Sequence, residues 1–208
     1  TDGSKAALPV AQGTGGTVSW GSAEFVAAEE MRRSRGHWWD PTSKKLVVAR
    51  VDVSDVPLWH IAAPNDPSRS TRLIRYPAAG TTNADVELHI VDTDSSSRSE
   101  VVWNRSTHPY LVDVTWEDDQ PLTLVVQSRD QRSMQVLETV DDTGRTDMVL
   151  ELADPDWVEI IPGTPRRWRD GWLTIQEHEH NRSLLFNEHP ISLANQWVRS
   201  LVAVDETS

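Results

Sequence analysis

Cysteine is absent from the 208 residues, which excludes disulfide bonds and thiolate metal sites and leaves the redox compartment open. Basic residues are scarce: 20 lysines and arginines stand against 32 aspartates and glutamates, a formal net charge of −12. That balance argues against a general nucleic-acid binder, which needs clustered cations to neutralise phosphates, and favours cationic ligands. No apolar run approaches the roughly 20 residues of a membrane span, and the opening "TDGSKAALPV" lacks a signal peptide's apolar core. Neither nucleic acid nor membrane is expected as a partner, and the compartment is unassigned, with the cytoplasm favoured. Nothing marks Thr1 as a natural beginning, so residues 1–208 are expected to be a single excerpt of a longer protein.

Tyrosine and phenylalanine are rare at two each, yet there are ten tryptophans, spread from Trp20 to Trp197. Each can bury roughly 200 Å² while its indole N–H asks for a partner. Helical signals are few. The best lies at 23–35, with Ser22 as N-cap, glutamates early, arginines late and Gly36 as the stop. Most other segments read as short strands: "KKLVVARVDV", "DVELHIVD" with Val86, Leu88 and Ile90 alternating, "PLTLVVQSR", "SMQVLETV", "DGWLTIQEH", "RSLLFNE" and "VRSLVAVDE". The "DDTG" at 141–144 predicts a hairpin turn joining 134–140 to 146–152. Residues 59–85, with Pro64, Pro67 and Pro77, read as an excursion rather than strands. Three stretches resemble one another: "WWDPTSKKLVVARVD", "VTWEDDQPLTLVVQSRD" and, less closely, "RRWRDGWLTIQEHE". A recurring tryptophan, acidic turn and apolar strand suits a blade that stacks on its neighbours. The predicted fold is all-β, a partial β-propeller of about four antiparallel blades with a short helical insertion near 23–35.

The stretch "EFVAAEEMRRSRGHWWDPTSKKLVVARVDVSDVP" resembles the propeller of the dipeptidyl-peptidase IV-like branch of the prolyl oligopeptidase family of serine peptidases. The likeness runs through Glu29-Glu30, Trp38-Trp39-Asp40-Pro41 and Ser54-Asp55-Val56-Pro57. It continues in "IRYPAAGTTNADVELHIVD", with Ala78 for the usual Lys and Ala84 for Pro, and in "ELADPDWVEI". The resemblance implies a piece of a propeller that has about eight blades in the family, lying before an α/β-hydrolase domain. No G-x-S-x-G nucleophile elbow occurs, so this chain alone carries no Ser-Asp-His triad and is not expected to hydrolyse anything.

In that family a glutamate pair on a short helical insertion binds the ammonium of a substrate's free N-terminus, and Glu29 and Glu30 stand in its place. Their ordinary alternative is surface ion pairing: on a continuous helix Glu29 and Glu30 lie four and three residues before Arg33, a geometry worth ~0.2–0.5 kcal/mol per pair. Arg182 occupies the place of a family arginine beneath the substrate's second residue, although Asn181 replaces the usual aromatic and Ser183 the usual His. His178 and His180 alternate with Glu177 and Glu179 on a predicted strand; with no third ligand at suitable spacing they read as a solvated face, so neither metal nor cofactor is expected. Asp40, Asp130 and Asp142 read as turn caps. The resemblance implies as partners a peptide with a free N-terminus and the protein's own C-terminal hydrolase domain, and cleavage after Pro or Ala. The open ends of an incomplete propeller suggest a homo-oligomer. The alternative is a non-catalytic propeller serving as a protein- or ligand-binding scaffold.

Overall fold

The computed structural model describes residues 16–66, 68–178, 181–193 and 196–204. The chain enters through β1 (Val18–Ser22), the helix α1 (Phe25–Glu30), β2 (Arg35–Trp39) and β3 (Lys45–Asp52). A ribbon of β4 (Leu58–Ile61) and β5 (Arg72–Arg75) follows, then β6 (Asp85–Asp92) and β7 (Arg98–Val101). A meander of β8 (Tyr110–Thr115), β9 (Thr123–Gln127), β10 (Ser133–Thr139) and β11 (Thr146–Ala153) comes next. A second meander is β12 (Arg166–Trp168), β13 (Gly171–His178), β14 (Asn181–Phe186) and β15 (His189–Pro190).

These strands make four antiparallel sheets: β1-β2-β3-β6-β7, β11-β10-β9-β8, β12-β13-β14-β15 and the two-stranded ribbon β4-β5. The fold is a partial β-propeller. The three resembling stretches fall on β2–β3, β8–β9 and β12–β13, the same hairpin of each larger sheet. Among the described residues no helix is long and apolar enough to cross a membrane.

The central strands β3 and β9 are buried on both faces, which explains their continuous apolar runs. In β9, Leu124 and Val126 join the core against the first sheet, with Leu88, Ile90, Trp38 and Trp103, while Val125 joins a second core beneath α1 with Val112, Met134, Val136 and Val158. The β8–β9 register slips between Leu111 and Asp113, a β-bulge that adds one residue to β8. Leu111 and Val114 therefore both face the first sheet, whereas Val112 faces the second core and Asp113 turns outward.

Several expectations are corrected. The helix is six residues rather than thirteen, its N-cap is Glu24 rather than Ser22, and it ends well before Gly36. Gly36 lies in β2, where a Cβ would come within 2.6 Å of the Ser22 backbone, so it is a close-approach glycine and not a helix stop. The excursion at 59–85 contains the β4–β5 ribbon. The strand expected in "VRSLVAVDE" is absent from its described part, 198–204; single bonds from Val198 N–H to the Arg182 carbonyl (2.9 Å) and from Leu201 N–H to the Pro162 carbonyl (3.0 Å) hold that segment instead. His180 and Glu179 lie outside the described residues. Asp40 and Asp130 do cap their turns, accepting from Lys45 N–H at 2.6 Å and Arg132 N–H at 3.2 Å. In the 141–144 turn that job falls to Asp141, which accepts Thr143 N–H at 2.9 Å, while Asp142 pairs with Lys45 at 2.5 Å.

Candidate functional site

Helix α1 is too short to be stable alone and is set by its ends and its buried face. At its start the Glu24 carboxylate accepts the N–H groups of Val26 and Ala27, the latter at 2.8 Å. Burial pushes that carboxyl above its ordinary value, opposed by these two donors and by the Arg33 charge. Ala27 and Met31 are buried against Val112, Val125 and Met134. At the other end Arg32 takes a left-handed conformation (φ 57°), and the N–H groups of Met31 and Arg33 share the Ala27 carbonyl at 3.2 and 3.0 Å.

That reversal sends Arg33 inward. Its Nε and Nη2 donate to the Leu111 carbonyl at 3.2 and 3.0 Å, and Nη1 donates to the Arg35 carbonyl at 2.8 Å. The β8 bulge presents Leu111 to it. The guanidinium is buried and lies 5.8 Å from the Trp38 ring, with Arg35 at the same distance. The surface ion pairs between Arg33 and the two glutamates are thus overturned: Arg33 is neither on the helix nor at the surface. The buried Trp38 supports the insertion, and Trp39 is half-exposed.

Glu29 and Glu30 are left exposed in the last turn of α1, with no hydrogen bond or ion pair among the described residues. The last turn contains no basic residue, and the negative end of the helix disfavours carboxylates there. Glu30 stands at the edge of a cavity of about 430 Å³ whose apolar wall includes Met31, Val112, Val125, Met134 and Ile161. Glu29, one position earlier, does not line it.

Arg182 lines a neighbouring cavity of about 410 Å³, and Ile161 belongs to both. It is not free: it pairs with Glu159 and lies 5.1 Å from the Trp197 ring. Of the residues that position the candidate site, Glu24 and Glu159 carry no local sequence signal for that role, and Arg33 fits only the ion-pair spacing of a continuous helix. Glu24 sits where a shorter Asp or Ser would have been the recognisable cap.

One cluster mimics a catalytic triad. His108 Nε2 lies 2.9 Å from Ser133 Oγ, and Ser133 Oγ donates to Glu151 at 2.8 Å. The order is wrong for nucleophile activation. The hydroxyl gives its proton to the carboxylate, so the imidazole must donate to Ser133 and cannot act as its base. Burial pushes His108 below its ordinary value, against the opposing pull of Glu151 and Asp130.

Comparisons with known proteins agree with this fold. The family model for the dipeptidyl peptidase IV (DPP IV) N-terminal region matches residues 2–197. Dipeptidyl peptidase 4 of Felis catus is 27% identical over 172 residues, covering 73% of this chain and 22% of that protein. The probable dipeptidyl-aminopeptidase B of Pyrenophora tritici-repentis is 24% identical over 237 residues, covering 93% of this chain and 26% of its own length. The crystal structure of Porphyromonas gingivalis dipeptidyl peptidase 4 superposes with a TM-score of 0.75 at 18% identity, over 91% of this chain and 28% of that one. The chain spans about a quarter of the length of the curated relatives it matches. With that match over nearly its whole length, the chain belongs to the dipeptidyl peptidase IV N-terminal region family.

Proposed function

We propose that this chain is the substrate-anchoring and gating propeller of a serine exopeptidase that removes dipeptides from free peptide N-termini, with Glu29 and Glu30 binding the α-ammonium. One observation carries the reading. Two adjacent carboxylates stand unpaired at the end of a helix that Glu24 and Arg33 hold in place, and one of them edges a cavity. Helix stability gives no reason for them, since the dipole opposes them. A peptide α-amine, with a pKa of about 7.7–8.0, is largely charged at neutral pH and offers donors to both acids. An acylated terminus would leave the carboxylates without their cation, so the anchor selects unblocked peptides.

Hydrolysis then belongs to an α/β-hydrolase domain of the longer protein, and the span from the glutamates to its serine sets the cut two residues from the end, after Pro or Ala. Arg182 serves the residue-two subsite only by exchanging Glu159 for a substrate carbonyl. Self-association of the protein is supported by half-exposed Leu58, Trp59, Ile61 and Leu73 on the β4–β5 ribbon, and a mass that stays monomeric across a concentration series counts against it. Calorimetry on the full-length protein tests the anchor: Gly-Pro-amide binds and its N-acetyl form does not. Equal binding of the two sinks the reading and leaves a scaffold propeller.

A further inference from the structure

Four guanidinium groups line the cavity beside Glu30: Arg32, Arg33, Arg35 and Arg166. Only two carboxylates, Glu30 and Asp113, share the lining. In a chain of net charge −12 this local excess of cations runs against the composition. The four are not equivalent. Arg33 is committed to the Leu111 and Arg35 carbonyls, and Arg166 is held by Glu117 at 2.6 Å. Arg35 has the Trp38 ring at 5.8 Å and no ion pair among the described residues, although its charge acts on Asp113 across the cavity lining. Arg32 is exposed and has neither a hydrogen bond nor an ion pair among them. Its left-handed backbone sets it off the helix that carries the glutamates, and no ion pair joins it to either one.

The site thus offers uncompensated charge of both signs in sequence neighbours: a carboxylate pair and, two residues on, the Arg32 guanidinium above an apolar wall. We infer that the cavity reads a carboxylate on the first residue of the bound peptide, with Arg32 and Arg35 as specificity-determining residues for an N-terminal Asp or Glu. The inference rests on the amine-anchor reading. Once Glu29 and Glu30 fix the α-amine, the side chain of that same residue is the substrate group nearest the wall that Arg32 begins. A bare glutamate pair would repel an acidic side chain there. Arg32, with Arg35 beside it, reverses that preference, while Asp113 is offset by the charges of Arg33, Arg35 and Arg166 around it. The apolar wall accepts the methylene stem.

The terminal carboxylate of a very short peptide carries the same chemistry, so three probes are needed. Calorimetry on the full-length protein at low salt compares Glu-Pro-amide, Gln-Pro-amide and Gln-Pro with a free carboxylate. Glu-Pro-amide binds about fivefold tighter than Gln-Pro-amide, and the ratio falls toward one in about 0.5 M salt and in the Arg32→Gln, Arg35→Gln double variant. Arg32→Gln alone, at an exposed position, lowers the ratio as well and keeps the test decisive if Arg35→Gln disturbs Trp38. Equal affinities for the two amides overturn the inference, as does a ratio that survives both substitutions. A gain for the free-carboxylate probe without one for Glu-Pro-amide also overturns it and assigns the cavity to a chain terminus. The anchor fails separately: N-acetyl-Gln-Pro-amide binding as well as Gln-Pro-amide removes the amine reading, and this inference with it, whatever the Glu-to-Gln ratio.

Discussion

Replacing Arg33 by methionine removes the side-chain hydrogen bonds that tie the glutamate-bearing turn to the second sheet. The methionine keeps most of the buried stem but none of the three hydrogen bonds. Two carbonyls, those of Leu111 and Arg35, lose their donor, and the half-buried Glu24 carboxylate loses a nearby cation. A stranded buried acceptor costs about 1–3 kcal/mol, and breaking a buried charge arrangement from one side about 3–5 kcal/mol in all. The expected loss is therefore about 3–5 kcal/mol. It is read from the midpoint of urea unfolding at unchanged slope. Arg33→Lys keeps the charge but not the fork, satisfies one carbonyl at best, and falls between the two. The same variants should weaken discrimination between free and acetylated substrates, because α1 no longer has a fixed end. A loss under about 1 kcal/mol for Arg33→Met, with discrimination intact, refutes the claim that this residue positions the site.

Glu24→Ala removes the cap and costs about 1 kcal/mol, whereas Glu29→Gln and Glu30→Gln stay within about 0.5 kcal/mol of the parent or stabilise slightly; denaturant midpoints separate the two classes. Burial lowers the His108 pKa in the folded chain, so in this window the unfolded chain binds more protons and stability rises with pH. That contribution is fully present above the ordinary histidine value of about 6.5 and is lost as pH falls below it, and His108→Gln should flatten unfolding midpoints across this window. Gly144 has φ 87°, and a Cβ there would meet the Glu100 carbonyl at 2.0 Å; Gly144→Ala should cost at least about 2 kcal/mol and lower the melting temperature.

Much of the fold was legible because local rules and burial agree. The alternation of Val86, Leu88 and Ile90 became β6, the unbroken Leu124-Val125-Val126 run became a strand covered on both faces, and "DDTG" became the β10–β11 turn. The helix was overextended for a physical reason. Glu29, Glu30, Arg32, Arg33 and Arg35 fit ion-pair spacing on a continuous helix, but the decisive partner of Arg33 is a carbonyl 78 positions away, freed by a bulge that no local pattern announces. The β4–β5 ribbon was hidden by its prolines and by exposed strands with little alternation to read. Of the candidate site, Glu29 and Glu30 were legible through the family resemblance. Arg182's commitment to Glu159 and the arginine-lined cavity were not, since both depend on segments brought together only in the folded chain.

The anchor is tested most directly by the kinetics of the full-length protein on a chromogenic Gly-Pro substrate and its N-acetylated form, repeated with Glu29→Gln and Glu30→Gln. The account predicts cleavage of the free amine alone, with a loss in kcat/KM of at least about tenfold for either substitution and little change in stability. Equal cleavage of both forms, or glutamine variants that keep the full preference, contradicts it and returns the two glutamates to an ordinary exposed helix end.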